Sequence, residues 1–172
     1  MQKGYIQIYT GDGKGKTTAA LGLALRNAGY NRRVFIGQFM KGQHYGELTV
    51  LAGIEAIDVE QFGDAGCIRK EEVSEVHRQH GRKGLERIRD VMASGAYRMI
   101  IMDEIIVAIW FGILSLEQVL AVLEEKPADV ELVLTGRRAP DELLAAADLV
   151  TEMREVKHYY QIGVQAREGI EF

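Results

Sequence analysis

The stretch from Gln7 to Thr18 reads Gln-Ile-Tyr-Thr-Gly-Asp-Gly-Lys-Gly-Lys-Thr-Thr and constrains the fold more than any other part of the chain. An extended apolar run, Tyr5 to Tyr9, feeds a turn holding Gly11, Gly13 and Gly15, and a helix-forming run opens beside Lys16 and Thr17. Strand, glycine turn and helix with a Lys-Thr pair at its mouth is an arrangement that binds phosphate. Glycines let backbone N–H groups approach an anion with no Cβ in the way, and the helix start adds its own N–H groups and dipole. The pattern predicts that Gly11, Asp12, Gly13, Lys14, Gly15, Lys16, Thr17 and Thr18 surround phosphates, with Lys16 against the outer ones and the Thr17 hydroxyl on Mg²⁺. The usual spacing is G-x-x-x-x-G-K-[ST]; here position 10 is Thr10 and the first glycine comes one residue late, at Gly11. Lys14 has two readings, a second phosphate contact or a solvated loop lysine.

The 172 residues, 47% hydrophobic and 27% charged, are those of one globular domain spanning 1–172. A net charge of −4 leaves no cationic excess for general nucleic-acid binding. No apolar run approaches the roughly 20 residues of a membrane span. The N-terminus carries no signal-peptide pattern, so a cytoplasmic protein with no membrane partner is expected. The single cysteine, Cys67, permits no internal disulfide and reads as a plain buried or loop thiol.

Along the chain, the first helix is expected from Lys16 to Ala28 and a second strand from Val34 to Phe39. A polar loop, Met40 to Glu47, follows, then a strand near Glu55 to Gln61 and a loop from Phe62 to Ile68. Helical spacing runs from Lys70 to Ser94, with Gly81 and Gly84 as weak points. Arg98 to Asp103 is an apolar run closing in two acids, Asp103 and Glu104, as a buried parallel strand does. Ile105 to Phe111 reads as helix, and Ser115 is the N-cap of another. Val130 to Thr135, a short helix after Pro140, and Asp148 to Met153 complete the alternation before a mixed polar and aromatic tail. The prediction is an α/β fold, a mostly parallel sheet of about six strands with helices on both faces.

Ligands in such a sheet bind beyond the strands' carboxyl ends. The glycine loop, Lys41-Gly42, Asp103-Glu104 and Thr135-Gly136-Arg137 all fall there. Asp103 and Glu104 read as acids of a metal site, with a helix cap the other role open to Asp103. His77 and His80, three apart, read as a solvated or half-buried pair, since no third ligand accompanies them. His158, beside Lys157, is either a phosphate or substrate contact or a surface histidine. Trp110 and Phe111 read as core before substrate platform.

Several stretches together resemble the cob(I)yrinic acid a,c-diamide (corrinoid) adenosyltransferase family. They are Gly11 to Ala20, Gly37 to Gly42, Met102 to Glu104, Leu134 to Arg137, Ala147 to Met153, and the closing Val156 to Ile170. The resemblance covers nearly the whole chain, and the short phosphate loop is itself the family's variant. It implies a P-loop NTPase-like (RecA-like) fold. It also implies transfer of the 5′-deoxyadenosyl group of ATP to Co(I) of a reduced corrinoid, with release of triphosphate, in cobalamin biosynthesis or salvage. By motif match, Lys16 and the backbone of Gly13 to Thr18 hold phosphates, Thr17 and Glu104 share Mg²⁺ with Asp103 in support, and Lys41 and Arg137 are outer contacts. A homodimer and a flavoprotein reductant are implied as well. Two departures stand out: the strand begins almost at Met1 where longer members carry an extension, and Phe62 to Ile68 lacks the tryptophan of the family's corrinoid-contacting stretch, leaving Phe62 as the candidate contact. The competing expectations are an ATP-hydrolysing or kinase-type protein and a nucleotide-binding regulator. A GTP switch is disfavoured because no Asn-Lys-x-Asp motif occurs.

Overall fold

The structure, a computed structural model, describes residues 3–66 and 68–171; Cys67 lies outside the described residues. Six parallel strands form one sheet: β1 (Ile6–Thr10), β2 (Val34–Phe39), β3 (Ile57–Phe62), β4 (Met99–Asp103), β5 (Glu131–Thr135) and β6 (Leu149–Glu152), in the order β3-β2-β4-β5-β1-β6. Between them run α1 (Lys16–Ala28), α2 (Gly46–Leu51), α3 (Glu75–Ala93), α4 (Ile105–Trp110), α5 (Leu116–Glu124) and α6 (Asp141–Ala146). The α/β expectation holds, and every strand pair is parallel.

Alternate residues of each central strand feed opposite cores, which is why the strands read as continuous apolar runs. Val34, Ile36, Met99, Ile101 and Val133 pack with Ala20 and Ala24 of α1 and Leu51 of α2. Phe35, Phe39, Ile100, Met102, Leu132 and Leu134 pack on the other side with Leu85 and Ile88 of α3, Ile105 of α4, Val119 of α5 and Leu143 of α6. The division follows from crossover handedness. Connections that step toward β3 use one face, and those that step toward β6 use the other, as a constant right hand requires. Neighbouring strands β1 and β5, and likewise β2 and β4, therefore send their chains to opposite faces. The gaps this opens at the strands' carboxyl ends are where ligands bind in such sheets.

Two local expectations are corrected. The helix expected from Lys70 starts at Glu75: residues 70–72 form a separate 3₁₀ turn, Val73 is extended, and the Ser74 N–H donates to His77 Nδ1 at 2.8 Å. Gly84 is a close-packing position of α3, where a Cβ would stand 2.6 Å from Phe39 Cε1 and 2.9 Å from Phe62 Cγ. Glycine there lets the helix settle onto the strand ends, so its value is in packing and not in bending. The polar loop after β2 also holds the short α2, too brief for sequence periodicity to show. Ser115 caps α5 as expected, accepting the Gln118 N–H at 3.2 Å while Gln118 Oε1 accepts the Ser115 N–H at 2.8 Å.

Candidate active site

The turn after β1 is shaped by what crosses it. Gly11 has φ 96°, and a Cβ on it would lie 2.4 Å from the Met153 carbonyl oxygen, where the chain leaves β6. Met153 N donates to Thr10 O at 2.8 Å, and Gly13 N donates to Met153 O at 2.7 Å. The loop is thus pinned to the far edge of the sheet, and the Gly13 N–H is spent on that contact. Gly15, at φ 112°, turns the chain into α1.

Lys16, 7% exposed, folds back over the loop and donates from Nζ to Gly11 O at 2.8 Å and Gly13 O at 2.7 Å. Burial lowers its pKa, and the positive charge of Arg137 lowers it further, against weaker help from Glu104, Asp12 and Asp103. A buried ammonium with two neutral acceptors and a second cation nearby is short of negative charge.

Asp103, 1% exposed at the end of β4, is the hub of the site. Its Oδ1 accepts from Thr17 Oγ1 at 2.8 Å and from Thr135 Oγ1 at 2.7 Å, and its Oδ2 accepts from Lys41 Nζ at 2.8 Å. These partners come from α1, from β5 on one side and from the segment after β2 on the other, so one carboxylate ties three elements together. Burial alone would penalise the Lys41 ammonium, but the Asp103 carboxylate outweighs it and raises the Lys41 pKa. Thr135 is fully buried and also accepts the Glu104 N–H at 2.9 Å. That bond holds Glu104 in the left-handed region, φ 60°, at the start of α4. Among the described residues the Glu104 carboxylate has no hydrogen-bond or ion-pair partner, and its pKa is raised by burial first and by the Asp103 charge second. Met40 and Arg138 also adopt positive φ, 58° and 62°, so among the described residues three of the four non-glycine residues in that region lie in this ring of strand-end loops.

The expected site residues divide on this geometry. Lys16, Thr17, Lys41, Asp103 and Glu104 converge, while Arg137 lies at the rim, 51% exposed, with Nη1 4.0 Å from Asp12 Oδ1. Lys14 turns away from the cup and donates to Tyr159 Oη at 2.9 Å and Glu171 Oε1 at 2.6 Å in the tail. Phe62 lies against Phe39, ring centroids 5.4 Å apart, and lines a small crevice with Met40, Ile68 and Ile113 and with the polar Asp64, His77 and His80. Trp110 corrects the core reading: it is 37% exposed, with Arg138 4.4 Å and Lys70 5.3 Å from its ring. His77 and His80 share a face, as expected, and both meet Asp64, at 3.2 and 3.5 Å. Among the described residues no group of three or more His, Cys, Asp or Glu is arranged to hold a metal by itself.

Two residues escaped the sequence reading as individual contacts. Thr135 closes an apolar strand run, the position Asp103 occupies in its own strand, and that parallel was the available signal. Gln38, fully buried, faces Asp103 across the β2–β4 register and accepts from Gln61 Nε2 at 2.9 Å; nothing local marks it.

No helix among the described residues is long and apolar enough to cross a membrane. The family model described as ATP:corrinoid adenosyltransferase BtuR/CobO/CobP matches residues 2–172. The chain is 33% identical over 174 residues to a corrinoid adenosyltransferase of Escherichia coli K12, covering 99% of this chain and 87% of that protein. Its similarity to the corrinoid adenosyltransferase CobA of Salmonella typhimurium is of the same order, 33% over 178 residues with 99% and 87% covered. It is also 35% identical over 169 residues to the uncharacterized protein all2391 of Nostoc, covering 90% of this chain but spanning only 45% of that longer protein. With its sheet-edge site and this match along nearly its whole length, the chain belongs to the ATP:corrinoid adenosyltransferase family BtuR/CobO/CobP, a family of transferase enzymes.

Proposed function

We propose that the chain transfers the 5′-deoxyadenosyl group of ATP to the cobalt of a reduced corrinoid and releases the triphosphate intact. The observation that carries this reading is the pairing of two deficits at one sheet edge. Lys16 is buried with two neutral carbonyl oxygens as its hydrogen-bond acceptors, and the half-buried Glu104 carboxylate has no hydrogen-bond or ion-pair partner among the described residues. A magnesium polyphosphate answers both at once. Family membership narrows that ligand to ATP and the acceptor to a corrinoid.

In this reaction the cobalt(I) electron pair forms the bond to the ribose 5′-carbon. The carbon–oxygen bond breaks, its electrons leave on the triphosphate, and the cobalt becomes formally Co(III). No proton changes hands in that step, so no general base is needed. What the protein supplies is position and charge neutralisation of the leaving group. Lys16, with the free N–H groups from Lys14 to Thr18, holds phosphates. Lys41, from the segment after β2, and Arg137, from the segment after β5, add positive charge that acts on Glu104.

Magnesium fits the donor set, because it takes hard oxygen ligands, few of them from protein and the rest from phosphate and water. Thr17, Glu104 and Asp103 supply a hydroxyl and two carboxylates within one cluster. Bound there, the ion would neutralise charge developing on the leaving phosphates. Phe62, in the lining of that crevice, is the proposed corrinoid contact. A homodimer, a flavoprotein reductant, a cytoplasmic setting and a place in cobalamin biosynthesis or salvage belong to the same proposal, with residues 1–172 acting as one nucleotide-binding domain.

An anaerobic assay with ATP, Mg²⁺ and chemically reduced corrinoid tests it, by absorbance and by chromatography of the phosphate product. Adenosylcorrinoid with intact triphosphate is the expected result, and release of single phosphate without a carbon–cobalt product overturns it. Lys16→Ala is expected to lower turnover by about 10²- to 10³-fold or more, the scale of losing one charge-stabilising donor. Wild-type turnover by a folded Lys16→Ala protein would sink the phosphate-loop role.

A further inference from the structure

The tail leaves the sheet directly across the phosphate loop. Besides the Gly13 to Met153 hydrogen bond, a Cβ on Gly13 would lie 2.9 Å from the Arg154 carbonyl oxygen, so loop and tail meet backbone to backbone. Beside that seam is a cleft of ≈ 310 Å³ whose lining includes Gly13, Lys14, Arg154, Lys157, His158 and Tyr159. Lys14, Arg154 and Lys157 carry positive charge there. The carboxylate in the lining, Glu155, accepts a hydrogen bond from Gln161 at 2.8 Å.

Two residues of this lining, Lys14 and Tyr159, are held by one acid of the tail, Glu171. Lys14 Nζ donates to Glu171 Oε1 at 2.6 Å, Tyr159 Oη donates to the same oxygen, and the Arg167 N–H donates to Glu171 Oε2 at 2.7 Å. Glu171 is 16% exposed and Lys14 42%. The tyrosine ring offers little to a nucleobase, since Lys14 Nζ stands 5.4 Å and the Arg167 guanidinium 4.9 Å from its centroid. A cleft with three cations and an already occupied aromatic face suits a multiply charged anion.

The geometry points to a tail-side subsite for polyphosphate, in which Lys14, Arg154 and Lys157 hold the part of the triphosphate that Lys16 does not reach, and Glu171 occupies Lys14 until that anion arrives. It rests on the reading that the loop binds the triphosphate of ATP. A polyanion displaces a single carboxylate because it meets all three cations together. When the product leaves, Glu171 closes on Lys14 again. The two readings of Lys14, phosphate contact and loop lysine, become two states of one side chain.

Titration calorimetry of the full chain with inorganic triphosphate and Mg²⁺ tests this in wild type, in Glu171→Gln and in Arg154→Gln/Lys157→Gln. Circular dichroism confirms that each protein is folded. Removing the competing carboxylate is expected to tighten binding about two- to fivefold, the worth of one exposed ion pair. Removing two cations is expected to weaken it by about tenfold and to flatten its dependence on salt. Equal affinities in all three proteins overturn the subsite, and so does weaker binding by Glu171→Gln. The adenosylation assay separates the two levels. Product formed by wild type with triphosphate affinity untouched by either change removes only the subsite. A wild type that neither forms product nor binds triphosphate removes the loop reading with it.

Discussion

Asp103 carries more of this site than its neighbours, because its two oxygens serve Thr17, Thr135 and Lys41 from three elements. Thr135→Val keeps the side-chain shape while deleting the hydroxyl that bonds Asp103 and accepts the Glu104 N–H. It is expected to cost about 1–3 kcal/mol, the penalty for leaving buried polar groups unpaired. Denaturant unfolding checks that cost, and an unchanged midpoint would remove Thr135 from the network. Glu104 behaves in the opposite sense. Its folded pKa is raised by burial and by Asp103, so its charged form opposes folding. That cost is absent below the unfolded value of about 4.3 and grows as pH rises toward and through the folded pKa. Glu104→Gln is therefore expected to melt higher than wild type at pH 7 but not at pH 3.5, while adenosyl transfer falls by at least about tenfold. Scanning calorimetry at the two pH values with a turnover assay decides it; a lower melting point at pH 7 contradicts the assignment of Glu104 as a half-buried acid without a hydrogen-bond partner.

At the scale of the element, α3 is the helix whose sequence misleads most. Gly81 and Gly84 look like weak points, yet Gly84 is where the helix meets Phe39 and Phe62. Gly84→Ala gains about 1 kcal/mol of helix propensity. It also forces a methyl group to within 2.6 Å of a buried ring, and overpacking of this kind costs about 1–3 kcal/mol. The second effect is expected to win, with a net loss of about 1 kcal/mol, read as a lower melting temperature. A more stable Gly84→Ala protein would mean that the Phe39 and Phe62 rings give way easily. The start of α3 is set just as locally, by Ser74 and His77, and His77 and His80 then reach Asp64 in the preceding loop. Helical periodicity from Val73 onward was visible in the sequence. The break at Val73 and Ser74 was not, because both residue types are tolerated within helices.

For the whole molecule, the site sets Lys16 on two carbonyl oxygens and leaves the Glu104 carboxylate without a hydrogen-bond partner among the described residues, and a ligand that answers both is expected to stabilise the fold. At about a hundred times its dissociation constant, a ligand specific for the folded state contributes about 2.7 kcal/mol. For a chain of this length that corresponds to a rise of about 5–10 °C in melting temperature. ATP with Mg²⁺ is expected to give such a shift by thermal scanning and to give none in Lys16→Ala; equal shifts in both proteins would place the nucleotide elsewhere. The sequence alone determined the strand–glycine turn–helix opening, a mostly parallel sheet of about six strands, Asp103 and Glu104 closing an apolar run, and the family, because each is written in local backbone chemistry, continuous apolar runs and short motifs. Only the tertiary structure decided the strand order that sets Thr135 beside Asp103, the glycine seat of α3, and the turning of Lys14 onto Glu171, 157 residues away in the chain. Those contacts depend on which strand ends become neighbours once both faces of the sheet are buried, and no residue spacing encodes that choice.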